Sequence, residues 1–594
     1  MPAGPSHFPS SHFHFRLLSL AVRPFLQRRL TAAWRISLTT LAVLLAGLLA
    51  GAAAAPAATL IGRVVDPDGR AVPKARVLLV TASGVEVARD AGEDGRFAIT
   101  GVPAGRYDLH VVAHGLQAEP TAIVLGADET KTIELRLRLS AISESVVVSA
   151  SQVEEPLSRA ADSVTVITAA DLAARQIETV ADALRLVPGL TLARSGGRGA
   201  ITSLFPRGGA SNYTLVLVDG MRANSFGGGY DFAHLSVADV ERIEIVRGPQ
   251  SALFGADAIG AVVQVVTRRG GRPRAEGTVE AGSYGTRRAT IGAAGSTGSW
   301  TFGGGAERTS SDGFTGVAPA TGERVSNDDY HLAHASGTLG WQRSNGPDLA
   351  VSANIGRDER GFPGPFGANP IGAFTAVDRV SRGINDTRQI GSRFTHPWSP
   401  RVRQRLEASY TDISGDFTSP FGTSSSGTRR FDGRVQEDAA LSPEVGASAG
   451  VEFLAERGSS TFITGAAGEP IPIRRGVTGT FAELRYARRE RLFVTGGVRL
   501  EHLTRQAVEA DPSPFSQRPA FAAQTINSFN PKLAVSYHAG TATRLHGSAG
   551  TGIRPPDAFE IAFTDNPNLK PERSRSMDAG VEQQFAGGVY AIGA

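Results

Sequence analysis

The chain contains no cysteine in 594 residues. That excludes thiol catalysis, disulfide scaffolds and cysteine-ligated zinc. Methionine and tryptophan number only 3 and 4, and lysine is scarce beside arginine. Beyond residue 57 no apolar run is long enough to cross a membrane as a helix. A real excess of charge is also missing. The formal charge of +4 rests on the first 57 residues, which hold five arginines and no acid; beyond them 56 basic residues face 57 acidic ones. A nucleic-acid reading built on overall basicity therefore fails. The basic run at residues 268–274 is isolated and has no interleaved aromatic, so it reads as an exposed linker. No nucleophile–base pair and no metal-ligand cluster stands out, so neither an enzyme activity nor a cofactor is expected.

Glycine, in contrast, is abundant at 70 residues. Arg28, Arg29 and Arg35 precede an apolar run, Ile36 to Ala55, which ends in the small-residue site Ala55-Pro56-Ala57. Positive, then apolar, then small is the layout of a secretory signal peptide, so residues 1–57 read as a leader. Residues 58–140 alternate short strands with turns such as Glu93-Asp94-Gly95 and Pro103-Ala104-Gly105, the pattern of a small β-sandwich. Leu109, Val111, Ile133, Leu135 and Leu137 fall on one face. A strand-prone peptide follows, Glu144-Ser145-Val146-Val147-Val148-Ser149-Ala150. Its extended, exposed character suits addition to the sheet edge of a partner.

Residues 151–270 mix helix and strand. Thr168-x-x-Asp171 and Thr179-x-x-Asp182 are capping-type helix starts, and Pro188-Gly189 is a stop. Leu215 to Val218 followed by Asp219-Gly220 reads as a strand entering a tight turn. The stretch Val240 to Thr267 organises the chain. Its β-branched runs, Ile243 to Val246 and Val262 to Val266, flank Gly248-Pro249, a short helical segment, and Gly255 and Gly260, where unusual backbone angles are expected. No G-x-G-x-x-G or phosphate-loop motif follows a strand, which argues against a nucleotide-binding fold.

From about residue 275 to the end, strands alternate apolar with polar. Leu349, Val351 and Ile355 oppose Ser352 and Asn354; Leu406 and Tyr410 oppose Glu407 and Thr411; Leu533, Val535 and Tyr537 oppose Lys532 and Ser536. Short turns alternate with longer segments near 308–328, 359–385, 414–427, 458–474, 502–526 and 554–573. Lipid outside, a polar filling inside, and short turns at one rim with long loops at the other describe an outer-membrane barrel. No internal repeat of a soluble propeller is seen.

Several of these motifs occur together in one known family. Val240 to Thr267, with the preceding VTVITAADL, TVADALRLVPGL and LVLVDGMR, resembles the plug domain of TonB-dependent outer-membrane receptors. GRVVDPDGRAVPKARV and DGRFAITGVPAGRYDLHVVAHG resemble the carboxypeptidase-regulatory-like domain, a carbohydrate-binding-like sandwich found in front of such receptors. ESVVVSA at Glu144 to Ala150 is similar in kind and position to the TonB box. Asn566 to Glu572, NPNLKPE, resembles a barrel motif of siderophore and cobalamin receptors.

The resemblance implies a mainly β fold: a transmembrane antiparallel β-barrel (275–594) filled by an α/β plug (151–270), preceded by the sandwich (58–140) and the TonB-box segment (141–150). It implies an outer-membrane location with the N-terminal domain in the periplasm, TonB and its inner-membrane energising complex as partners, and active uptake of a scarce ligand of siderophore or cobalamin type. A surface binding or signalling receptor and a glycan importer are the alternatives. Arg207 and Arg247 are expected to meet wall carboxylates, for which Glu572 and Glu582 are the candidates. Asn224, Phe226 and Tyr230 are expected in a ligand-facing loop of the plug. About fourteen strands and the start of another are expected, against about twenty-two in these transporters, so the barrel is expected to be incomplete at its C-terminal end.

Overall fold

The computed structural model describes residues 57–593 except 66–70, 82–83, 114–115, 118–120, 140–146, 149–152, 154, 158, 227–228, 320, 344–345, 365–375, 466–467, 490, 513–516, 540–542 and 586–587. Residues 1–56 of the leader lie outside these residues; Ala57, its last, is the first of β1.

The first domain is built from β1 (Ala57–Val65), β2 (Arg76–Thr81), β3 (Gly84–Asp90), β4 (Arg96–Pro103), β5 (Gly105–Ala113), β6 (Leu116–Gln117), β7 (Thr121–Leu125), β8 (Thr130–Arg136) and β9 (Arg138–Leu139). One sheet runs β4-β1-β8 and the other β3-β2-β5-β6-β9, with β7 also on β5. Strand alternation sends Leu60, Leu79, Ile99, Leu109 and Leu137 into one apolar core. β10 (Val147–Val148) then pairs antiparallel with β11 (Glu155–Pro156).

The α/β domain follows: β12 (Ser163–Thr168), α1 (Ala169–Ala174), α2 (Val180–Leu184), β13 (Leu190–Arg194), β14 (Thr202–Pro206), β15 (Thr214–Val218), β16 (Met221–Arg222), β17 (Val240–Arg247), α3 (Ser251–Phe254) and β18 (Ala261–Thr267). Both expected caps form. The Asp171 amide donates to Thr168 Oγ1 at 3.2 Å, and the Thr168 amide donates back to Asp171 Oδ2 at 2.9 Å. The Asp182 amide likewise donates to Thr179 Oγ1 at 3.2 Å. The sheet order is β12-β17-β18-β15-β16. β15 is buried along its whole length. Val216 and Val218 join the core with Leu184, while Leu215 and Leu217 face the other way, onto Val246 and Val262. Such two-sided burial explains the unbroken apolar run. Asp219 and Gly220, at φ 48° and 83°, make the tight turn into β16. Gly255 has the expected positive φ of 78°. Gly260 does not. It is small because a Cβ there would lie 3.0 Å from Pro206 and Tyr213.

Fifteen antiparallel strands in sequential order form the wall. They are β19 (Arg274–Ala281), β20 (Arg287–Thr297), β21 (Trp300–Ser311), β22 (Tyr330–Gln342), β23 (Asp348–Gly361), β24 (Arg382–Ser399), β25 (Val402–Ser419), β26 (Gly422–Ala440), β27 (Val445–Ser460), β28 (Ile473–Arg488), β29 (Leu492–Arg505), β30 (Gln524–His538), β31 (Thr543–Arg554), β32 (Glu572–Phe585) and β33 (Gly588–Gly593). α4 (Ala558–Ala562) lies in the loop between β31 and β32. Polarity is inverted relative to a water-soluble sheet. Leu484, Leu500, Phe529 and Leu533 are over half exposed on the outer face, while Glu483, Arg485, Arg499 and Glu501 are buried inside. Among the described residues no helix is long and apolar enough to cross a membrane; the strands carry that polarity. The segment 414–427, expected as a loop, is instead the tip of the β25–β26 hairpin, which turns at Pro420-Phe421. Its Ser, Thr and Gly residues show no apolar alternation, yet the backbone ladder continues, with Ser425 Oγ donating to Asp416 at 2.5 Å.

Candidate functional site

The α/β domain plugs the space behind the wall, and the seat between them is polar. Arg222, delivered by the tight turn at Asp219-Gly220, is buried. It meets Asp432 at 3.5 Å and Glu452 at 3.3 Å, and donates to the carbonyls of Phe254 and Ala256 at 2.5 and 3.2 Å. Glu452 also holds Arg499 at 3.2 Å, Arg499 holds Glu501 at 2.9 Å, and Glu501 accepts the Ala256 amide at 3.1 Å. Asp257, at φ 82°, meets Arg475 at 2.8 Å, and Arg475 shares Glu456 with Arg430. Arg430 in turn donates to the carbonyls of Arg222 and Asn224 at 3.1 and 2.9 Å. The stretch 254–257 is thus read by the wall through backbone and side chain together. A buried charge without a partner is costly, and Arg222, Arg475, Arg499, Glu452 and Glu456 each have more than one. Burial pushes the Asp257 carboxyl up, but the guanidinium of Arg475, helped by Arg222 and Arg430, holds it below the usual carboxylate range.

A second seat lies near the short-turn end. Lys532 of β30 donates to Asp162 at 2.6 Å and to Gln250 at 2.7 Å. Arg544 of β31 donates to the carbonyls of Leu157 and Ala160 at 3.1 and 2.8 Å.

The expected pairs of Arg207 and Arg247 with Glu572 and Glu582 do not form. Arg207 pairs with Asp578. Arg247 donates to Ser163 Oγ and to the Pro188 carbonyl, both at 3.0 Å. Glu572 is taken by Arg554 at 2.8 Å and accepts the Tyr213 hydroxyl at 3.2 Å; Glu582 is taken by Arg544. The strand period explains the correction. Residues 572, 578 and 582 share one face of β32, and the carboxylate at the level of Arg207 is the middle one.

Asn224, Phe226 and Tyr230 also differ from expectation. The Asn224 amide is spent on the backbone, accepting from Val216 N at 2.7 Å and donating to the Thr214 carbonyl at 2.9 Å. Phe226 is buried among Ile463, Ile473, Val508, Phe521 and Ile561, beneath the long loops. Tyr230 packs on the plug core, edge to face with Phe232 at 4.9 Å. Phe226 is buried, while Asn224 and Tyr230 are partly buried. Of the TonB-box residues, Val147 and Val148 form β10; Glu144, Ser145, Val146, Ser149 and Ala150 lie outside the described residues.

A cavity of about 180 Å³ separates one face of the plug sheet, at Leu217, Met221 and Gln264, from Ser352, Ser409 and Gly433 of the wall. Six arginines and four carboxylates also line it. The sequence reading missed the seat residues Arg222, Asp257, Glu452, Arg475, Arg499 and Lys532. The signal available was charge recurring on one face of an alternating strand, at a spacing of two in Glu483/Arg485 and Arg499/Glu501 and of four in Glu452/Glu456.

Residues 282–593, over half of the chain, match the family model "TonB dependent receptor-like, beta-barrel". The chain belongs to the TonB-dependent receptor family. The "TonB-dependent Receptor Plug Domain" model matches residues 156–262 of this receptor, and the "Carboxypeptidase regulatory-like domain" model matches residues 59–138. Barrels of this family sit in the outer membrane of Gram-negative bacteria, and its members are receptors and transporters rather than enzymes. Over 152 residues the receptor is 40% identical to the vitamin B12 transporter BtuB of Vibrio vulnificus, a match covering 26% of this chain and 25% of that one. The likeness thus spans about a quarter of the curated relative's length. Among solved structures, the siderophore receptor PiuA of Acinetobacter baumannii aligns at TM-score 0.59 and 16% identity, covering 76% of this chain and 74% of that one. The closed form of the ferric-catecholate import receptor Fiu of E. coli aligns at TM-score 0.60 and 13% identity, covering 76% and 75%. At these identities the likeness is one of fold.

Proposed function

We propose that this receptor imports a scarce ligand of siderophore or cobalamin type across the outer membrane in a TonB-driven step. The ligand arrives at the long-loop rim. TonB, with its inner-membrane energising complex, grips Glu144 to Ala150 at the short-turn rim, in the periplasm. The observation that carries this reading is the polar seat of the plug. Arg222, Asp257 and Asp162 are each held by named wall charges and not by an apolar seam. Such a seat opens one ion pair at a time and re-forms with the same geometry.

The test is uptake by cells carrying the receptor, with labelled cobalamin and iron-loaded siderophores as probes. Uptake is expected, and Val147→Pro is expected to abolish it, because proline removes an amide that a partner strand would use. Binding at the cell surface without uptake by the unsubstituted receptor would favour a binding or signalling receptor instead. Uptake of oligosaccharides alone would favour a glycan importer.

A further inference from the structure

Arg159 lies between β11 and β12, in the tether that joins the proposed TonB-box segment to the plug. A solvated arginine would be ordinary there. This one is buried, at 8% exposure, and it reaches partners in the sandwich and the wall. Its guanidinium pairs with Asp108 of β5, itself buried in the sandwich. It donates to the Thr81 carbonyl at the end of β2 at 3.1 Å. It also stands 5.3 Å over the ring of Phe493, at the start of wall strand β29. The same tether is gripped from the wall by Arg544 at the carbonyls of Leu157 and Ala160, and by Lys532 at Asp162. The sandwich touches the short-turn rim independently of Arg159. Arg272, in the linker leaving the plug, donates to the Pro73 carbonyl at 3.3 Å, and Gly105 lies against Pro443 in the turn between β26 and β27.

We propose that Asp108 and the Thr81 carbonyl form an arginine receptor on the sandwich, and that its occupant is Arg159 of this same chain. The sandwich is then a latch on the plug as well as a domain placed before it. Removing the plug from its N-terminal side requires Arg159 to leave a buried carboxylate, and a buried carboxylate that loses its partner resists the loss. The surface suits this occupant on three counts. A guanidinium has enough donors to serve a carboxylate and a carbonyl at once. The aromatic ring of Phe493 accepts its face. Sandwich and wall both meet this one side chain of the tether, so its release frees the tether from the sandwich. The mechanical role rests on the TonB-box reading, but the latch itself does not.

Hydrogen exchange of the full chain in lipid nanodiscs, without TonB, tests it. In Asp108→Asn the amides of Val164 to Ile167 in β12 are expected to exchange about tenfold faster, while those of Val263 to Val265 in the centre of the plug sheet do not change. Leu79 and Leu109 report whether the sandwich itself remains folded. If they lose protection in Asp108→Asn, Arg159→Gln carries the test, since it alters no sandwich residue. Arg159→Lys, which keeps the charge but lacks the fork, is expected to recover only part of the protection. Unchanged β12 exchange in a variant whose sandwich is folded would overturn the latch. A failure of Val147→Pro to stop uptake would overturn the TonB-box reading and leave this result standing.

Discussion

Asp257 of the plug and Arg475 of the wall meet at 2.8 Å, and Asp257 reaches that position only through a left-handed backbone with φ 82°. A non-glycine residue in this conformation carries a local cost of order 1–3 kcal/mol. The ion pair offsets it.

Replacing Asp257 by Asn should therefore loosen the plug by about 1–3 kcal/mol, since Arg475 keeps Glu456 but loses one of its two carboxylates. Asp257→Gly should cost less, because glycine relieves the backbone while losing the same pair. Urea titration followed by protease cleavage within the plug reads both. Equal losses in the two variants would show that the backbone strain is immaterial.

The Asp257 and Asp231 carboxylates of the plug should make it sensitive to acid. Burial raises the Asp257 carboxyl, but Arg475, Arg222 and Arg430 bring it below the usual range. Burial raises Asp231 too, and His234 with the Thr202 and Ala233 amides brings it down. A depressed folded-state pKa gives stability that is complete above the unfolded value, about 3.9, and is lost as the pH falls through the folded value. Plug protection against protease should hold from about pH 8 to about pH 5 and fall below about pH 4. A loss between pH 8 and pH 6 would contradict this assignment.

Arg207 and Asp578 should behave as one unit. Arg207→Ala, Asp578→Ala and the double variant form a cycle with a coupling energy of about 0.5–3 kcal/mol. Glu572→Gln and Glu582→Gln should show no such coupling to Arg207, because Arg554 and Arg544 hold those carboxylates. Thermal unfolding of the parent, of these five variants and of the two that combine Arg207→Ala with Glu572→Gln or Glu582→Gln decides it.

On the outer face, Leu484 is 58% exposed in the short-turn half of β28, between the buried Glu483 and Arg485. Leu484→Arg should cost about 2–4 kcal/mol in a bilayer. In a water-soluble sheet the same exposed position would be neutral to within about 0.5 kcal/mol. Equilibrium folding into vesicles distinguishes the two.

Much of this architecture was legible. Leu349, Leu406 and Leu533 declared an apolar outer face by period alone, and Thr168 with Asp171 declared a helix start, because both signals are local. What failed was pairing across distance. Arg207 could be singled out as a plug arginine, but three carboxylates on one face of β32 differ only in height, and height is set by barrel register, which no local pattern encodes. Phe226 differed for a related reason. Within a glycine-rich loop it reads as exposed until β26 and the long loops over 200 residues away are in place. The β25–β26 tip failed because backbone pairing needs no apolar side chains.

The seat also fixes the order in which the molecule can be made. Arg222 and Glu452 are 230 residues apart in the chain, Asp162 and Lys532 are 370 apart, and Leu157 and Arg544 are 387 apart. Synthesis from the N-terminus produces every plug charge before the wall charge that neutralises it. Contacts of such high sequence separation form slowly. The plug reaches its final seat only once the wall strands that carry Glu452, Lys532 and Arg544 are in place.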